Sequence, residues 1–188
     1  MRRLFLTLIV AWLAPGAALA AAQAAHWSVD PGSKLAFQGK MNGDTFNGTF
    51  RRWSADIRFD PKALAASKAV VTIDVASAAT GDSDRDQALP GPDWFAAQRF
   101  PKATFTTTQI KDLGGGRYQA LGDLAIRGAH KAVVLPFTLA ISGDTARMNG
   151  QLVLNRTAFG IGQGKWSTPD VVATQVTVIV ALTAHRTP

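Results

Sequence analysis

The stretch Arg147-Met148-Asn149-Gly150-Gln151-Leu152-Val153-Leu154-Asn155 decides the fold. Met148, Gly150, Leu152 and Leu154 fall on every second position, with Arg147, Asn149, Gln151 and Asn155 between them. A period of two places these sets on opposite faces of an extended strand. The segment Val172 to Leu182 does the same, with Val172, Val176, Val178, Val180 and Leu182 on one face. Outward from there the alternation recurs. Leu35 and Phe37 share a face, as do Phe46, Gly48 and Phe50, then Ala55, Ile57 and Phe59, then Val71, Ile73 and Val75. Thr104 to Ile110, Tyr118 to Ile126 and Val133 to Ile141 complete the set. Asp60-Pro61, Gly114-Gly115-Gly116 and Ser142-Gly143-Asp144 punctuate it as turns. The pattern predicts about eight antiparallel strands with one buried face.

Composition agrees. The chain has 188 residues, 47% apolar and 18% charged, which suits one domain with a substantial core. Every acidic residue is Asp, Val, Ile and Thr abound, and Gly reaches 17. Glu favours helices and Asp does not, so this balance favours strands and turns. There is no Cys, which excludes disulfides, thiolate metal sites, iron–sulfur clusters and Cys nucleophiles. The formal charge is +7, with the basic residues scattered and no run longer than Arg51-Arg52. Nucleic-acid binding asks for a basic stripe, and none is present.

The first residues have a different character. Met1-Arg2-Arg3 is cationic, Leu4 to Leu13 is apolar apart from Thr7, Pro15-Gly16 breaks the run, and Ala18-Leu19-Ala20 is a small-x-small pattern. These are the three parts of a secretory signal peptide, expected over residues 1–25 with cleavage near Ala20 to Ala25. A membrane span needs about 20 continuous apolar residues, and Pro15-Gly16 comes too early. The expected mature protein, residues 26–188, is a single exported domain located in a bacterial periplasm.

One segment interrupts the strand rhythm. Asp82 to Arg99 carries Pro90, Pro92 and Asp93-Trp94-Phe95. It reads as a long connection with one or two helical turns, a length usually kept for function. Eight antiparallel strands can close into a barrel that holds one small ligand. A β-sandwich fits the same strand spacing.

Catalytic signatures are missing. His26, His130 and His185 lack metal spacing, and there is no G-x-S-x-G, Walker loop or H-E-x-x-H. Gly160-Ile161-Gly162-Gln163-Gly164 resembles part of a dinucleotide loop, but strand residues follow it rather than a helix. Asp82, Asp84 and Asp86 begin like a calcium loop but lack its Gly and closing Glu, so they read as a solvated acidic turn.

With the strands laid out, the chain resembles the YceI family of periplasmic polyisoprenoid-binding proteins. The resemblance rests on Trp27-Ser28-Val29-Asp30-Pro31-Gly32-Ser33, on Gly48-Thr49-Phe50 followed by Ile57-Arg58-Phe59-Asp60-Pro61, and on Thr80-Gly81, Arg85-Asp86, Trp94-Phe95 and Phe100-Pro101. It continues through Gly122-Asp123-Leu124-Ala125-Ile126-Arg127-Gly128, Asn155-Arg156, Phe159-Gly160 and the Val-rich end, covering residues 26–185. Two positions depart from it. Ala88 stands where a His often follows the Arg-Asp pair, and Ala158 where an Asp usually precedes Phe-Gly. The Gly162 to Trp166 insert resembles the branch found beside or fused to cytochrome b561-type membrane proteins, which implies such a protein as a partner.

The resemblance implies an eight-stranded antiparallel lipocalin-like barrel, all-β, with a long, partly helical connection and an isoprenoid lipid inside. The cargo is a polyprenyl chain or an isoprenoid quinone. No cofactor besides that lipid, no metal and no catalytic residue is expected, and a homodimer stays open. The candidate tunnel lining is Phe37, Phe46, Phe50, Phe59, Phe105, Leu124, Ile126, Leu152, Leu154, Val176 and Val178, each competing with plain core filling. At the mouth, Trp94 and Phe95 are candidates to gate, and Arg156, Phe159 and Trp166 to meet a head group. Arg156 offers a planar fork to phosphate, or pairs with Asp123 or another strand-end Asp. Two other readings compete with a carrier. One is an integral outer-membrane barrel. The other is a stress-response factor or enzyme acting on the bound lipid, with Asp123, Arg156 and a His in one pocket.

Overall fold

In the segment that decides the fold, inside and outside separate cleanly. Along β10 (Thr145–Asn155), Ala146, Met148, Leu152 and Leu154 are covered, while Arg147, Asn149, Gln151, Val153 and Asn155 are exposed. The structure is a computed structural model and describes residues 24–187. The expected signal segment lies outside the described residues up to residue 23.

Among the described residues, strands succeed one another as β1 (Ala25–Val29), β2 (Lys34–Met41), β3 (Asp44–Phe50), β4 (Trp53–Phe59), β5 (Lys68–Asp74), β6 (Ala78–Ala79), β7 (Lys102–Gly114), β8 (Arg117–Ile126), β9 (Ala129–Ser142), β10 and β11 (Gln175–Arg186). Three pairs among these are single bent strands. A turn at Asp30–Ser33 divides β1 from β2, Arg51-Arg52 divides β3 from β4, and a 3-10 turn at Val75–Ser77 divides β5 from β6. Counted that way there are eight, each pairing antiparallel with the next in sequence. The last closes on the first: Trp27 lies opposite Arg186, and Leu35 opposite Val180. The result is a closed up-and-down barrel, and the sandwich reading falls away because two layers would leave unpaired edges.

Two local departures have physical causes. The final strand starts at Gln175, not Val172, because residues 156–174 loop across the end of the barrel; Val172 makes only an isolated bridge to Met41. The ladder between β9 and β10 stops at Phe137 opposite Gly150. The next β9 residue is Pro136, which has no N–H to extend a ladder. The long connection holds one short helix, α1 (Ser83–Ala88), capped by the Asp82 carboxylate on the Arg85 N–H.

Buried apolar side chains gather in two clusters. One, at the end that carries the β4–β5, β7–β8 and β9–β10 turns, packs Trp27, Phe59, Ile110, Tyr118, Ala146 and Ala184. Trp27 is 2% exposed, and its indole N–H donates to the Phe59 carbonyl at 2.9 Å. The other, beneath the long connection, gathers Phe37, Val75, Phe95, Leu124, Phe159 and Ile161, among others. Between the clusters, inward residues such as Val71, Met148, Leu152, Val178 and Val180 are only half-buried. They face a space rather than one another.

Candidate functional site

That space is a hollow of about 460 Å³, and the surface facing it is almost wholly carbon. All eleven expected tunnel residues line it. Phe37, Phe46 and Phe50 enter from β2 and β3, Phe59 from β4, and Phe105 from β7. Leu124 and Ile126 come from β8, Leu152 and Leu154 from β10, and Val176 and Val178 from β11. The sequence reading missed Trp53, Val71, Leu135, Met148, Val180 and Leu182 as lining. Their signal was present, because each continues the inward alternation of its strand.

The five expected mouth residues also converge, with different roles from those expected. Trp94 and Trp166 meet with ring centroids 5.7 Å apart. Phe95 and Phe159 are buried in the cluster below them, with Phe50 5.9 Å from Phe95, so they plug rather than gate. Two loops build this end, 82–101 and 156–174. The Asp93 carbonyl accepts from the Gly162 and Gln163 N–H groups, both at 2.8 Å, and Arg127 donates to the Trp94 carbonyl.

Arg156 overturns the head-group expectation. It is 3% exposed, and its guanidinium points at backbone. Nε donates to the Ala173 carbonyl at 2.9 Å and Nη1 to Ile161 at 2.9 Å. Nη2 reaches Trp166 at 2.6 Å, Val172 at 2.7 Å and Thr168 at 3.4 Å. The Trp94 ring lies under it at 5.6 Å. Among the described residues no carboxylate pairs with it, and Asp123 is bonded to His130 instead. Burial pushes its pKa down from the ordinary arginine value. The fork acts as a clamp on the 156–174 loop. Gly162 is obligatory beside it, since a Cβ there would stand 1.9 Å from Nη1.

Polar groups touch the hollow at its margins. Arg85 on α1 lies 4.9 Å over the Phe46 ring, next to Thr80 and Asp84. Asp86 accepts from the Thr80 hydroxyl at 2.7 Å and the Thr80 N–H at 2.6 Å. The hydroxyl first, then those N–H bonds, hold its carboxyl below the usual carboxylate range. Asp74, bonded by Arg52 at 3.0 Å with Lys102 nearby, is lowered likewise. Of the alternating aspartates, Asp82 therefore serves as helix cap and Asp86 as loop clasp. At the far end, burial and then Asp112 push the Tyr118 phenol up.

Asp123, Arg156 and a histidine do not come together in one pocket. Asp123 meets His130 at 2.7 Å with both side chains substantially exposed, while Arg156 is clamped inside the mouth loop, so the grouping an enzyme reading requires does not form. No group of three or more His, Cys, Asp or Glu positioned for a metal occurs among the described residues. Along β10 the apolar residues other than Val153 face in and Arg147, Asn149, Gln151 and Asn155 face out, the reverse of the polarity of a membrane-spanning barrel strand.

The architecture is a closed eight-stranded antiparallel barrel around an apolar hollow, a form that has room for a small ligand. The family follows from comparison: a model of the YceI-like domain matches residues 27–184, and the chain belongs to that family. A UPF0312 protein of Photorhabdus laumondii is 34% identical over 118 residues, covering 61% of each chain. One from Pseudomonas savastanoi is 30% identical over 165 residues, covering 81% of this chain and 86% of that one. The alignment thus spans about three-fifths of the Photorhabdus relative's length. Among solved structures, Burkholderia cenocepacia BcnA superposes with a TM-score of 0.79 at 37% identity, covering 83% of this chain and 99% of that one. The Campylobacter jejuni YceI protein gives 0.65 at 25% identity, covering 75% and 85%. A polyisoprenoid binding domain from Saccharophagus degradans gives 0.67 at 14% identity, covering 87% and 99%, and shares the fold.

Proposed function

We propose that this protein is a non-enzymatic carrier that shelters an isoprenoid lipid, a polyprenyl chain or an isoprenoid quinone, within its barrel. The observation that carries the reading is the carbon-lined hollow of about 460 Å³. Burying each methylene of a guest there is worth about 0.8 kcal/mol before ordering costs. Affinity for an oily chain is therefore easily obtained, and part of it is spent on fixing the chain's rotamers. The cationic, apolar, small-residue start of the sequence supports export, and a periplasmic carrier suits a cargo that water rejects. A cytochrome b561-type membrane protein as delivery partner is consistent with the Gly162 to Trp166 insert.

Protein isolated from its native compartment without detergent, extracted and analysed by mass spectrometry, tests the proposal. A prenyl lipid at near-stoichiometric amount is expected. Fatty acids alone, or no lipid in a barrel that still binds an apolar dye, would overturn the isoprenoid reading.

A further inference from the structure

Three of the phenylalanine rings that line the hollow lie against glycine. Phe37 faces Gly48 across β2 and β3, and Phe46 faces Gly39 in the same ladder. Phe105 on β7 leans over Gly122 on β8. A Cβ at Gly48 would stand 2.2 Å from the Phe37 ring, one at Gly39 2.7 Å from Phe46, and one at Gly122 2.5 Å from Phe105. Real Cβ atoms do not approach that closely, so each ring occupies the space a side chain on the facing strand would fill. The rings rest on backbone and form part of the wall of the hollow.

We infer that these phenylalanine-on-glycine pairs set how long a chain the barrel accepts. The inference rests on the proposed isoprenoid cargo and adds its length. A cavity of about 150 Å³ takes one benzene. At that scale 460 Å³ takes roughly 18 carbons, about three to four isoprene units. A methyl at Gly48 displaces the Phe37 ring. Phe50 stands 5.3 Å away on one flank and the sheet lies behind, so the ring turns into the lumen. One ring there removes about a third of the hollow, roughly one isoprene unit.

The experiment measures dissociation constants for geraniol, farnesol, geranylgeraniol and solanesol, and for dodecanol, hexadecanol and eicosanol, by displacement of an apolar fluorophore from the lipid-stripped full chain. In the wild type, affinity is expected to rise to geranylgeraniol and then level off, with about tenfold separating it from farnesol. Gly48→Ala is expected to level off one unit earlier, erasing that gain, and Phe37→Leu added to it to restore the gain. Should Gly48→Ala not fold, Gly39→Ala carries the same expectation, and Phe37→Leu alone is expected to move the plateau longer. A plateau unmoved in every folded variant, or equal losses at all lengths, overturns the ruler while leaving the cargo reading intact. A wild type that takes the alkanols and refuses the prenols overturns the cargo reading, and the ruler is then read on the alkanol series. Continued gain from geranylgeraniol to solanesol overturns the length assignment.

Discussion

Replacing Arg156 separates a structural clamp from a ligand contact. Arg156→Met keeps much of the side-chain volume and removes every donor. The carbonyls of Ile161 and Val172, whose bonds to the guanidinium are buried, are then left without partners. A buried acceptor orphaned in this way costs about 1–3 kcal/mol, so the pair costs roughly 2–6 kcal/mol. An ordinary domain has about 5–15 kcal/mol in all. Arg156→Lys is the sharper variant. An ammonium is a point donor and cannot span acceptors running from Ile161 to Ala173, so it is expected to lose at least about half of what Met loses. The assay is urea unfolding, read as a fall in midpoint at constant slope, together with amide exchange across residues 157–173. The exchange data are needed because a loop that opens to water rehydrates its carbonyls and shifts the midpoint less, while its protection collapses. The clamp is refuted if Arg156→Lys unfolds with the wild type, keeps its loop protection and loses affinity only for a phosphorylated prenyl lipid over the alcohol.

Two further outcomes follow from the two ends of the barrel. Trp27→Ala, which empties the plug between Phe59 and Ala184, is expected to cost about 3–5 kcal/mol in urea unfolding. A cost under about 1 kcal/mol would show that end to be loosely packed. Asp74 and Asp86 are held below the ordinary carboxylate range in the folded state, so their stabilisation is complete above the unfolded-state value of about 3.9 and is lost as pH falls through the lower folded value. Acid is therefore expected to loosen the Thr80–Asp86 clasp and speed cargo release in a stopped-flow dye assay. Asp86→Asn should release faster at neutral pH and respond less to acid, and an unchanged acid response in that variant would remove Asp86 from the account.

The barrel was legible because one face of every strand faces carbon and the other water, so a period of two runs through the chain from Leu35 to Leu182. The lining was legible for the same reason, and Met148, Val71 and Val180, absent from the candidate lining, obey it too. What one face of a strand does not reveal is whether inward side chains meet at the centre or stop short. That depends on ring orientation, and the Phe37 ring lies flat because a residue on another strand, Gly48, makes room. Arg156 was misread for a related reason. A fork beside a Gly-rich turn suits a phosphate and a set of backbone carbonyls equally well, and only the path of residues 161–173 decides between them. The eight-strand estimate agreed with the ring, although the backbone breaks at Asp30–Ser33, Arg51-Arg52 and Val75–Ser77 give shorter segments than the pattern implies.

A hollow is not neutral for a protein that must stay folded. Cavities left by truncated core residues destabilise in proportion to their volume, because the atoms around them lose packing partners, and an empty lumen weighs against folding in the same sense. Against it stand a ladder that closes on itself and two plugs that bound the void, one around Trp27 and one around Phe95 and Phe159. A guest that fills the space restores contacts the wall cannot make with itself, so cargo binding and folding are linked. Both ends carry an apolar plug, so passage of cargo at either end exposes apolar surface that water does not compensate. The two plugs differ in what bears them: Trp27 and Phe59 belong to strands of the closed ladder, whereas Phe95, Phe159 and Ile161 belong to two loops tied by bonds to Asp93, Trp94 and the Arg156 fork. Moving those loops leaves the ladder intact, while moving Trp27 or Phe59 breaks it.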